Sequence, residues 1–114
     1  MDDATIQQLK VFPSAKGGNL LENLIPLFEI KTSDTIRALK QAILSRELDT
    51  LKHKAITLKN GADYIGAKEL SRLADQLEQN SDSQISHKKL SLQINAIEKA
   101  FHRAVQYFES LDAA

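Results

Sequence analysis

Residues 55–67 read AITLKNGADYIGA, and the spacing of their apolar side chains decides the fold. With Leu51 one turn upstream, Ala55, Leu58, Ala62 and Ile65 recur at alternating steps of three and four, the pattern of a helix with one buried stripe. Asp49 is the expected N-cap, and Gly66 is expected to end or bend the helix. A helix turns ~100° per residue, so Ile56 falls about 140° from the centre of that stripe, on the side expected to face water. Lys52, Lys59 and Asp63 lie within about 60° of Ile56, while His53 and Asn60 border it on the other side.

The same periodicity extends in both directions. Upstream, Leu21, Ile25, Phe28, Thr32, Thr35, Leu39 and Ala42 form the seam of a long helix from about residue 19 to 45, with Pro26 expected to kink it. Ile6, Leu9 and Phe12 predict a short amphipathic helix before it, with Pro13-Ser14 and Gly17-Gly18 making the intervening loop. Downstream, Ala67 to about Asn80 buries Leu70, Leu73, Ala74 and Leu77, and Asn80-Ser81-Asp82-Ser83 has the chemistry of a polar loop. The last helix carries Leu90, Ile94, Ile97, Phe101, Val105, Phe108 and Leu111. Four substantial amphipathic helices with short connections predict an all-α, antiparallel up-and-down four-helix bundle with a short extra helix at the N-terminus.

At 114 residues the chain is expected to be one domain, 1–114, able to bury a single core. Lys plus Arg and Asp plus Glu each count 15, and this balance argues against binding nucleic acid through a basic field. The absence of cysteine removes disulfides, thiolate chemistry and zinc–cysteine sites. The first residues, MDDATIQQLK, are acidic where a signal peptide is basic, and no apolar run approaches the ~20 residues needed to span a bilayer. A cytoplasmic protein without membrane contact is expected. There is no internal repeat or low-complexity segment, and strand signals are almost absent.

Beyond its periodicity, the 55–67 stretch resembles the signature of the histidine-containing phosphotransfer (HPt) family, roughly A-H-x-L-K-G-x-A-x-x-I/L-G-A. Ala55, Leu58, Lys59, Ala62, Ile65, Gly66 and Ala67 fall on matching positions. The likeness spans about residues 20 to 80. Leu24-Ile25-Pro26-Leu27-Phe28, with Ile36 and Leu39, resembles the helix before the signature, and AKELSRLADQLE (67–78) resembles the helix after it. The final helix agrees in length and pattern only.

In that family the signature histidine carries a phosphoryl group between receiver domains of response regulators, and a nearby lysine favours the phosphoryl charge. Here Ile56 stands at the histidine's position, and an isoleucine cannot be phosphorylated. Asn60 is a second departure, because the family usually has glycine directly after the lysine; Gly61 follows one residue late. An Asn-Gly step inside a helix costs about 1 kcal/mol relative to good helix formers. The resemblance implies a phosphorelay module that docks a receiver domain, or a hybrid sensor kinase carrying one, without carrying phosphate. Lys52, His53, Ile56, Lys59, Asn60 and Asp63 would form the contact patch, and Gly61 and Gly66 would be structural.

Two alternatives stay open: an active phosphotransfer protein using His53, or a helical scaffold whose partner is unrelated to receivers. Against His53, the residues three and ten positions after it are Ile56 and Asp63 rather than lysine and glycine. His87 and His102 read as surface or edge residues. Three dispersed histidines without an i, i+4 pair give no metal site. Neither Glu98 with Glu109 nor Asp2 with Asp3 forms a recognisable acid–base pair, and there is no phosphate loop, serine elbow or calcium loop. No enzymatic activity, cofactor or metal is expected, and a monomer is expected because every strong apolar seam is needed for the core.

Overall fold

The computed structural model describes residues 1–12, 18–81 and 86–112. Its elements are α1 (Asp3–Val11), α2 (Leu20–Leu44), α3 (Leu48–Ile65), α4 (Lys68–Ser81) and α5 (His87–Asp112), and no strand occurs among the described residues. Of the expected loop residues, Pro13, Ser14, Gly17, Asp82 and Ser83 lie outside the described residues; Gly18 precedes α2 with φ 70, whereas Asn80 and Ser81 belong to α4 rather than to a loop.

Helices α2 to α5 close a ring in which each packs against its two sequence or end neighbours: α2 on α3, α3 on α4, α4 on α5, and α5 back on α2. Their contacts set the directions. Phe28 near the start of α2 makes edge-on ring contacts with Phe101 and Phe108 late in α5, while Lys40 near the end of α2 reaches back to Glu98 at 2.7 Å. These helices therefore run antiparallel. The buried stripe of α3 is the one expected: Leu51, Ala55, Leu58, Ala62 and Ile65. They meet Leu39, Leu70, Leu77, Ile97 and Phe108 in one core.

Helix α2 runs without interruption through Pro26, whose place in the second turn costs one backbone bond but leaves the apolar stripe in phase. Asn19 caps it by accepting from the Glu22 N–H at 2.9 Å. Three sequence expectations shift at its flanks. Ile36 rather than Thr35 is buried, Ile25 is half-buried, and Phe12, the extended C-cap after α1 ends at Val11, is exposed. In α4, Leu73 is half-buried; so are Val105 and Leu111 in α5.

The N-cap of α3 is Glu47 rather than Asp49. The connection from α2 closes at Arg46 in the left-handed region (φ 55), with Glu47 N–H bonded to Ala42 O at 2.9 Å, so the next helix starts early. Asp49 then lies in the first turn, where a carboxylate meets the positive end of the helix.

The other end of α3 depends on one glycine. Gly66 has φ 82, its N–H bonds Asp63 O, and the following Ala67 N–H bonds Ala62 O at 2.8 Å, a Schellman closure. Helix α1 is anchored on this turn. Asp2 N–H donates to Gly66 O at 2.8 Å, and a Cβ at Gly66 would stand 3.2 Å from Thr5 Cβ. With Ile6 and Leu9 buried against α2 and α3, α1 is the short additional helix foreseen from the sequence.

Candidate functional site

The α3–α4 turn sets the geometry around Ile56. Because it is tight and antiparallel, residues equally far from Ala67 along the two helices stand opposite each other. Lys59 and Asp75 satisfy this relation and pair at 3.0 Å. So do Asp63 and Ser71, whose hydroxyl donates to the Asp63 carboxylate. The same register sets Ile56 level with Glu78, and both are half-buried.

This packing corrects the expectation that Ile56 faces open water beside two lysines. Ile56, Lys52 and Lys59 are half-buried, and α4 packs along this flank of α3 through a seam of the Lys59–Asp75 and Asp63–Ser71 pairs. His53, Asn60 and Asp63 are exposed. The six residues expected to form one patch are thus divided: Lys52, Ile56 and Lys59 are half-buried, Asp63 is exposed but bonded to Ser71 of α4, and His53 and Asn60 form an open ridge.

Electrostatics within the seam are largely internal. The Lys59 ammonium donates to Asp75 Oδ1, and Gln79 Nε2 donates to Asp75 Oδ2 at 3.0 Å, so both carboxylate oxygens are engaged. The hydrogen bond to Asp75, then its charge, raises the pKa of Lys59 above the ordinary 10.5, with Glu78 and Asp63 adding to the effect. Asp75 is lowered below 3.8, first by the same hydrogen bond. Lys59 therefore sits among three carboxylates.

On the opposite flank of α3, a groove of about 350 Å³ opens toward α2, lined by Leu27, Lys31, Thr57, Gly61 and Tyr64 among others. Leu27 is 54% and Tyr64 62% exposed, so its rim is apolar and accessible. Gly61 forms part of the wall inside an unbroken helix, and nothing lies within 4 Å of where its Cβ would be. Asn60, one turn beyond Ile56, stands between seam and groove.

The match to protein families covers this whole arrangement. The sequence model of the Hpt domain matches residues 23–110, from early α2 to the end of α5. The chain belongs to the Hpt-domain family. No curated protein and no solved structure matches it significantly. Hpt domains are phosphotransfer carriers in phosphorelay signalling, and the all-helical bundle is the architecture expected of one.

The remaining histidines stay apart in this Hpt fold. His53 is on the ridge of α3, His87 opens α5 half-buried, and His102 is exposed on α5. Among the described residues no group of His, Cys, Asp or Glu is arranged to hold a metal ion, and no helix is long and apolar enough to cross a membrane. Sequence reasoning missed Asp75, Ser71 and Glu78, as well as the groove residues Leu27, Lys31 and Tyr64. The seam partners had a usable signal in their equal spacing about Ala67. The groove had none, since it depends on how α2 sits against α3.

Proposed function

We propose that this chain is a pseudo-HPt module. In this reading residues 1–114 form one domain, cytoplasmic and monomeric, that docks the receiver domain of a response regulator or hybrid sensor kinase without accepting phosphate. It has no catalytic activity of its own and competes with an active phosphotransfer protein for the receiver. The observation that carries the reading is Ile56 at the acceptor position of a signature that matches at seven other positions and departs again only at Asn60. Loss of the imidazole removes the nucleophile, whereas the bundle and its surface do not depend on it.

The docking surface is the Ile56 neighbourhood, with Lys52, His53, Lys59, Asn60 and Asp63 around it. The groove beyond Asn60 supports this assignment, because it offers accessible apolar area next to a patch whose Lys59 and Asp63 are already paired. A binding screen against receiver domains tests the proposal, with Ile56→Asp as the probe. Receiver binding by the wild type that weakens about tenfold or more in Ile56→Asp, with the helical signal retained, supports it. Equal binding by both proteins removes Ile56 from the interface.

A further inference from the structure

We propose that Asp75 is a positioning residue that holds the Lys59 ammonium off residue 56, so that the site is disabled for phosphoryl transfer twice, by the missing imidazole and by a captured cation. Lys59 follows Ile56 by three residues on the same flank of α3, so their Cβ atoms are neighbours. An unpaired ammonium there could reach a group carried by residue 56. Instead it lies 3.0 Å from Asp75 Oδ1, and Gln79 fixes the other carboxylate oxygen, which keeps the acceptor from turning away.

The surroundings act in the same direction. Glu78 is level with residue 56, and Asp63 and Glu78 both act on Lys59 through their charge. Lys52, one turn before residue 56, and Lys59 are the cations of α3 on this flank. Against them, the Asp75 carboxylate both adds negative charge and withdraws the Lys59 ammonium, so it favours the protonated form of an imidazole placed at 56, which cannot act as a nucleophile. A phosphoryl group bound there would also face like charge. Replacing Asp75 with Asn removes one carboxylate and releases one ammonium, so both effects relax together.

The inference rests on the placement of residue 56 at the acceptor position, as the proposed function does, but it does not require a receiver. Phosphoramidate is therefore the probe. A ring nitrogen of the histidine attacks phosphorus, the P–N bond of phosphoramidate breaks, and ammonia leaves with a proton. Ile56→His, Ile56→His/Asp75→Asn and Ile56→His/Asp75→Ser are compared, with wild type giving the background from His53, His87 and His102. NMR titration of the new imidazole is recorded alongside.

Phosphohistidine formation at residue 56 is expected to be about three- to fivefold faster in the double variants than in Ile56→His, with the imidazole pKa displaced downward. A purely structural role for Asp75 would leave that pKa unmoved. The Ser variant carries the comparison if the Asn variant loses its helical signal. Equal rates and equal imidazole pKa values in single and double variants would overturn the proposal. Failure of receiver docking, by contrast, leaves this comparison intact.

Discussion

Lys59 and Asp75 join α3 to α4 at 3.0 Å, three residues along from Ile56, and direct the lysine of the signature toward α4. The pair is half-exposed, so its influence is on local geometry and titration more than on global stability.

Its pH dependence follows from the two shifts. Asp75 is held below its ordinary 3.8, so the stability it contributes is complete above that value and is lost as pH falls through the folded pKa. Lys59 is held above 10.5, so its contribution is complete below that value and is lost as pH rises through the folded pKa. The stability difference between wild type and Asp75→Asn is therefore expected to be flat through neutral pH and to shrink at both extremes. Urea titrations across the pH range measure it; a difference that changes between pH values near neutrality would show that another group is responsible.

Gly61 and Gly66 should respond to alanine in opposite senses. Gly61 is helical with open space at its Cβ, so Gly61→Ala is expected to stabilise by about 1 kcal/mol. Gly66 is left-handed and faces Thr5 and the Asp2 carbonyl, so Gly66→Ala is expected to cost about 1–2 kcal/mol and to loosen α1. Thermal melts of the two variants, with amide exchange at Asp2, distinguish these outcomes. Destabilisation by Gly61→Ala would mean that the helix is distorted at Asn60–Gly61.

Phe108 has no exposed surface and is in edge-on contact with Phe28 across the α2–α5 interface. Phe108→Ala is expected to cost about 3–5 kcal/mol, measurable as a fall in the urea midpoint. A cost below 1 kcal/mol would mean that the α2–α5 interface is not part of the cooperative core.

Much of this fold was legible because a stripe of Leu, Ile and Ala at steps of three and four has few other solutions. The α3 core residues, the Gly66 terminus and the number of helices all follow from that periodicity. What local pattern could not supply was the neighbour. Angular position put Ile56 opposite the buried stripe, but α4 packs along the flank it shares with Lys59. Likewise Asp49 has good capping chemistry, yet the closure at Arg46 and Glu47 starts the helix before it. The candidate site was legible as a motif and a missing histidine; its partners Asp75 and Ser71 follow from their equal spacing about Ala67 once the tight α3–α4 turn is placed there.

The groove gives a separate test of how a receiver sits. Tyr64→Asp and Leu27→Asp place charge on its apolar rim and should each weaken receiver binding about tenfold, with little effect on folding because both side chains are exposed. Calorimetry reads the affinity. Unchanged binding in both would confine the contact to the α3 ridge.

The most direct measurement incubates wild type, Ile56→His and His53→Ala with a panel of phosphorylated receiver domains, recording complex formation and transferred label together. A pseudo-HPt module forms a complex and takes up no label as wild type. Label on the wild type that disappears in His53→Ala would contradict it and make His53 the acceptor, and binding to no receiver would contradict docking itself.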